Sequence, residues 1–335
     1  MARPVSFPTL ADGNSSSFWL EGRLHLFTSV GWPVELSVSS GQFDQWETDE
    51  VNITNLAGKA IWLEGAWADR DGVVFGWYHN EPWGLYEDSF LTIPKIGAVI
   101  SFDGGRTIRD LGIVLESGDE PDDGAQNGAF TGGHGDFSVI LDREEKYFYF
   151  FFTNYGGPAE SQGVAVARMA FEDRHDPVGK VYKYHEGEWV QPGVGGRVTP
   201  VFPAARAWNH KDPDSFWGPA LHWNTHLNSF VMLLNRTQGE PGWSQEGMYV
   251  TFAKDLSRPD TWKIPRQFLA GSELDGGGAY YPQVMGLEAG GSETLAGKTA
   301  RFYVSGASKW EIDFISGNEE QPPNPIDRIG REPPR

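Results

Sequence analysis

Four acidic side chains sit where the chain pattern is otherwise apolar, aromatic or glycine-rich. Asp12 precedes the run SSSFWL, Glu64 interrupts WLEGAWA, Glu81 lies in His79-Asn80-Glu81-Pro82-Trp83, and Asp136 follows Gly132-Gly133-His134-Gly135. Carboxyl groups drawn into one pocket can divide acid and base work, because crowding and burial push one pKa upward while another stays ionised. The protonated group then donates to a leaving oxygen and the ionised one acts as base or nucleophile, the division that breaks a glycosidic bond. Side chains suited to a sugar accompany them: Asn14, His79, His134, Asn154, His222 and Arg236 for hydroxyls, and Trp217, Tyr280 and Tyr281 for apolar ring faces. Each also has a structural reading. Asp12 beside Gly13 suits a turn, Glu64 could accept from backbone around an axis, the histidines could be satisfied core groups, and Trp217 and Tyr281 could be core aromatics.

A repeat in the sequence supplies the elements that must gather these residues. A two-strand unit recurs five times at intervals of roughly 50–70 residues. The copies are SSSFWL with LHLFTS, WLEGAWA with VVFGWYHNEP, GDFSVIL with YFYFFFTNYGG, FWGPALHW with FVMLLNR, and AYYPQVMGL with ARFYVSG. A third strand follows four of them, as ELSVSS, IGAVISFD, VAVARMAF and GMYVTFAK. Four strands make the blade of a propeller, and five blades close a ring without free sheet edges. The expected fold is therefore an all-β, five-bladed β-propeller with four-stranded antiparallel blades near residues 10–55, 60–115, 130–190, 213–268 and 278–318. A β-sandwich is the alternative. Brief stretches such as Val164–Asp173 also admit a helical reading, and residues 321–335, rich in Pro and charge, suit an extended or disordered tail.

In a propeller the first strand of each blade begins at one mouth of the axis and the second returns to it, so those ends converge on one axial pocket. That rule draws Asp12, Asn14, Glu64, Asp136, Trp217, Tyr280 and Tyr281 together from strand starts. It adds His79, Glu81, Asn154 and Arg236 from second-strand ends, with His134 beside Asp136 and His222 at the end of the fourth inner strand.

Composition narrows the partners. A formal charge of −19 repels a phosphate backbone, so nucleic acid is excluded as a partner. No run approaches the roughly 18–20 apolar residues of a membrane span, and the opening MARPVSFPTLADG lacks the apolar core of a signal peptide, so a soluble chain is expected. With no cysteine, thiolate chemistry is absent. The glycine run Gly276-Gly277-Gly278 lacks the Lys-Ser/Thr of a phosphate loop. No cofactor is expected. A structural or axial Ca²⁺ is compatible with the acidic set, although Asp119–Asp123 lacks the spacing of a known calcium loop.

With these residues in view, the layout resembles the five-bladed glycoside hydrolases: arabinanases, β-xylosidases, levansucrase- and invertase-like enzymes and uncharacterised sialidase-like bacterial relatives. The resemblance covers nearly the whole chain and lies in the blade pattern. It implies Asp12 as base, Asp136 as tuner or alternative base, and Glu81 or Glu64 as acid. Asp12 lacks the following Pro of the arabinanase group, and Arg236 stands without the arginine triad of sialidases, so a neutral glycan is the expected substrate. Ser101-Phe102-Asp103-Gly104-Gly105-Arg106-Thr107-Ile108 further resembles the Asp-box hairpin of sialidase-like propellers, with Ile108 in place of the aromatic; an ordinary Asp-Gly-Gly turn is the alternative. Two other functions fit the same pocket: a carbohydrate-binding propeller without catalysis, and a lyase or metal-assisted enzyme built on His79, His134 and His222.

Overall fold

The computed structural model describes residues 2–9, 11–31, 33–42, 45–55, 60–82, 84–86, 90–239, 243–274 and 279–316. The segment 321–335 and the run Gly276–Gly278 lie outside the described residues. Five antiparallel sheets follow one another along the chain, each a blade of a propeller. Blade I is Ser17–Leu20, Arg23–Val30, Glu35–Gln42 and Gln45–Glu50; blade II is Ile61–Ala68, Val74–Asn80, Lys95–Ser101 and Thr107–Leu115. Blade III is His134–Leu141, Tyr147–Asn154, Gly163–Ala170 and Val181–His185, extended outward by Glu188–Pro192; blade IV is Ser215–Asn224, Ser229–Thr237, Gln245–Ala253 and Arg266–Ala270. Blade V takes Pro282–Gly286, Thr299–Val304 and Ala307–Asp313 from one end of the sequence and Val5–Ser6 from the other, so the ring closes through a shared sheet.

Two details depart from the sequence reading. Asn52–Thr54 joins the outer strand of blade II in parallel rather than ending blade I. The stretch once readable as a helix is strand over Gly163–Ala170, and only Phe171–His175 turns helically. The reason is burial on both faces: Val164 and Val166 face blade IV while Ala165, Ala167 and Met169 face blade II, a two-residue alternation.

The same alternation explains the aromatic run of blade III. Phe148, Phe150 and Phe152 pack toward blade II, and Tyr149 and Phe151 pack toward blade IV. Every blade junction has a hydrophobic cluster of this kind, and burying one such Phe stabilises the fold by about 1.5–3 kcal/mol. Blades are also stitched near the axis: Ser16 Oγ donates to Leu63 O at 3.1 Å, and Gly218 N–H donates to Thr153 Oγ1 at 3.1 Å. Ser15 and Gln283 exchange two bonds of 2.9 Å. At the far end of the axis Glu293 accepts Ser17 N–H at 2.7 Å, and Leu295–Ala296 pairs with the inner strand of blade IV, so one loop ties blades I, IV and V.

The Ser101–Thr107 turn is built as an Asp-box is. Ser101 Oγ donates to Asp103 Oδ1 at 2.8 Å and accepts Gly105 N–H, and Asp103 Oδ1 also accepts Thr107 N–H at 2.8 Å. Gly105, at φ 89, lies over Phe27, where a Cβ would meet ring carbon Cζ at 2.6 Å, so this hairpin fastens blade II to blade I.

Candidate active site

Irregularities in the inner strands aim the acidic side chains at the axis. The ladder of blade II slips between Leu63 and Gly65, and that of blade III between Gly135 and Phe137, leaving Glu64 and Asp136 as the bulged residues. A bulge re-aims a side chain that regular alternation would send into the blade junction. Blade IV slips at the same level, between Trp217 and Ala220, but there the bulged residues are Gly218 and Pro219. Asp136 has φ 40 and Tyr281 φ 56, backbone that residues with a Cβ adopt at a cost of about 1–3 kcal/mol. These two strained residues touch: Tyr281 Oη donates to Asp136 Oδ1 at 3.0 Å, and Tyr155 Oη donates to Asp136 Oδ2.

Around Asp136 the other groups assemble. Glu64 Oε2 accepts Phe137 N–H at 2.7 Å, and its Oε1 lies 3.6 Å from His79 Nδ1. His79 Nε2 lies 3.3 Å from Glu81 Oε1, and Asp136 N–H points at His79 Nδ1 from 3.3 Å. Asp12 enters from blade I, its N–H donating to Ser29 O at 2.9 Å, which sets it beside the end of the second strand. Burial, with Asp136 and Asp12 adding and His79 opposing, pushes Glu81 up to about 7. Asp12 is raised by the desolvation of its surroundings and by Asp136, although the residue still reaches solvent, which weakens the effect. Glu64 is raised by burial above all. For His79 burial opposes charge, but Glu64, Glu81 and Asp136 outweigh it and lift the ring to about 9.

The opposite wall is aromatic. Trp217 is 2% exposed and boxed by Trp243, Tyr280 and Tyr281 at 5.1, 5.1 and 5.7 Å. Trp208 and Phe130 back Tyr155 at 4.9 and 4.5 Å. Trp243 and Tyr280 are partly exposed, held by Trp243 Nε1 donating to Asn127 O and Tyr280 Oη donating to Trp243 O.

The structure thus brings together Asp12, Glu64, His79, Glu81, Asp136 and Tyr281, with Tyr280 and Trp217 in the adjoining wall. It sends five of the sequence-selected residues elsewhere. Asn14 lies beneath the pocket, its Nδ2 bridging Phe137 O at 2.8 Å and Pro219 O at 3.0 Å across the axis. Asn154 holds the loop after its strand through Gly156 O and Ser161 O. His134 turns into the junction of blades II and III, 4.6 Å from Phe152, and burial drives its pKa well down. His222 is five residues along its strand from Trp217, at the far end, packed on Phe314 at 5.1 Å and lowered to about 3 by burial. Arg236 points off the axis over Phe216 and Tyr249 and is paired with Asp214 at 3.0 Å.

The three histidines therefore do not converge on a metal. Glu64, His79 and Asp136 offer ligand atoms within 4.8 Å of one another, yet each already has partners in the network above. Two carboxylates of the Asp119–Asp123 loop turn to neighbouring groups of the same loop, Asp119 to Ser117 Oγ and Asp122 to Gly124 N–H. Sequence reading missed Trp208 and Trp243 as site residues, because they come from loops that carry no period. Tyr155 lies in the second-strand end Thr153-Asn154-Tyr155, which the convergence rule draws to the mouth, although it is not among the candidate site residues chosen from the sequence.

No family model matches the sequence, and no curated protein matches it. Solved structures do match. A putative exo-β-1,3-galactanase from Bifidobacterium bifidum aligns over 94% of each chain with a TM-score of 0.54 and 11% identity. An exo-β-1,3-galactanase from Phanerochaete chrysosporium aligns over 92% of this chain and 63% of its own length, TM-score 0.51, 10% identity. The catalytic domain of a GH62 α-L-arabinofuranosidase from Coprinopsis cinerea covers 95% of this chain and 91% of its own, TM-score 0.50, 10% identity. The chain has the five-bladed β-propeller fold that these glycoside hydrolases share.

Proposed function

We propose that the protein hydrolyses a glycosidic bond of a neutral poly- or oligosaccharide at this mouth. The observation that supports it is the convergence of Asp12, Glu81 and Asp136 near an aromatic cluster in which Trp243 and Tyr280 are partly exposed. Glu81 is the proton donor. Its pKa near 7 keeps a proton available at neutral pH, and its side chain, 22% exposed, is open to solvent. Glu64, the rival donor, is 3% exposed and lies beneath Gly13, where a Cβ would come within 2.8 Å of Oε1. Asp12 is the base or nucleophile, and Asp136, held by two phenols, orients the group between them. Arg236 is engaged by Asp214, so no free guanidinium from that strand favours an acidic sugar.

The test is incubation with a polysaccharide panel and product analysis. Hydrolysis products from at least one neutral glycan are expected, with turnover lowered about 10²–10⁴-fold or more in Glu81→Gln and in Asp12→Asn at native stability. Full activity in both variants would overturn the assignment of roles, and binding without products would favour the non-catalytic alternative.

A further inference from the structure

Among the described residues His79 is the imidazole that lies with the carboxylates at the mouth, and it is closely held. Trp62 and Phe130 flank its ring at 5.7 and 6.3 Å, and a Cβ on Gly135 would lie 2.8 Å from its Cε1 and Nε2. The charged and titratable groups facing it are Glu64 from the inner strand of blade II, Glu81 just past its own strand, Asp136 from blade III and Asp12 from the entry to blade I.

The ring's two nitrogens have different surroundings. Nδ1 meets both an acceptor, Glu64 Oε1 at 3.6 Å, and a donor, Asp136 N–H at 3.3 Å. The first favours an imidazolium and the second a neutral ring. In the neutral ring the amide selects the tautomer with its proton on Nε2, and the imidazolium carries one there as well. Either way a proton sits on Nε2. That buried atom has no aligned hydrogen bond among the described residues, and Glu81 Oε1 stands 3.3 Å away. Catalytic contacts of this length tighten when substrate fills the site.

We infer that His79, backed by Glu64, is a positioning residue for Glu81: its Nε2–H fixes Oε1 and leaves Oε2 to carry the donated proton toward the mouth. This rests on the reading of Glu81 as donor. Asp12 and Asp136 press Glu81 to hold its proton, and the imidazole opposes them. Without the ring Glu81 would bind its proton more tightly and release it poorly to a sugar leaving group. Glu64 contributes by favouring the positive ring, and its second oxygen is spent on Phe137 N–H.

The experiment is a ¹³C-carboxyl NMR titration of Glu81 in the full chain, paired with the pH dependence of kcat/KM on the glycan the protein cleaves. In His79→Phe the Glu81 midpoint and the alkaline limb should both rise by about one pH unit or more, and kcat should fall. His79→Gln, which restores an N–H donor, should recover part of kcat. Glu64→Gln keeps an acceptor for Phe137 N–H and should also raise the midpoint, which serves if His79→Phe does not fold. An unmoved midpoint in a natively folded variant overturns the inference. Undiminished hydrolysis by Glu81→Gln overturns the donor reading instead, whatever the titration gives.

Discussion

Removing one phenol from the Asp136 clamp tests the geometry of the site without relying on any substrate. Tyr281→Phe deletes the Oη that donates to Asp136 Oδ1 at 3.0 Å and leaves the ring in its contact with Trp217. A hydrogen bond to a charged group contributes about 1.5–3 kcal/mol, so the variant should lose about 2 kcal/mol. By the scaling for domains of 150–250 residues, that is a fall in Tm of about 4–8 °C, somewhat less for a chain this long. Tyr155→Phe should cost a similar amount, since Tyr155 donates to the other oxygen. The double variant should cost more than the sum by about 1 kcal/mol, because Asp136, 3% exposed, would then be buried without either phenol donor. Melting curves of the four proteins complete the cycle. Single variants within about 0.5 kcal/mol of the parent would refute the clamp, and strict additivity would show that the phenols do not share one carboxylate.

Two further outcomes concern the frame. Glu293 is pushed up by burial to about 7 from 4.5, so its contribution to stability is present below about pH 4.5 and lost as pH rises through about 7; the ceiling on that loss is about 3 kcal/mol. Glu293→Gln, which keeps an acceptor for Ser17 N–H, should show a smaller fall in Tm from pH 5 to 8 than the parent, and equal falls would contradict the burial argument. Gly97 lies across from Tyr78, where a Cβ would meet ring atom Cζ at 2.1 Å, so Gly97→Ala should cost about 1–3 kcal/mol in chemical denaturation; a neutral result would mean that the ring is free to move.

The repeat made most of the architecture legible. Strand pairs, turn residues and apolar alternation are local properties, and they located all five inner hairpins and the third strands of four blades. The convergence rule draws Asp12, Glu81 and His79 together, and they do lie together in the structure, because strand ends depend only on direction and length. It failed where direction was misjudged: His222 lies five residues beyond Trp217, about 17 Å along an extended strand, at the opposite end. It failed also where a residue at the proper end faces sideways, as His134 and Arg236 do. Face is set by alternation and reset by bulges, and the bulges at Glu64 and Asp136 depend on pairing between strands that the sequence of one strand does not encode. Closure through Val5–Ser6 was hidden for the same reason, since a two-residue strand carries no pattern.

The most direct trial of the account is a structure of the Glu81→Gln protein with an uncleaved oligosaccharide of the glycan it digests. The glycosidic oxygen should lie about 2.6–3.2 Å from the side chain at position 81, with Asp12 facing the anomeric carbon and a sugar ring against Trp243 or Tyr280. A glycan seated away from these side chains, on another face of the propeller, would contradict it.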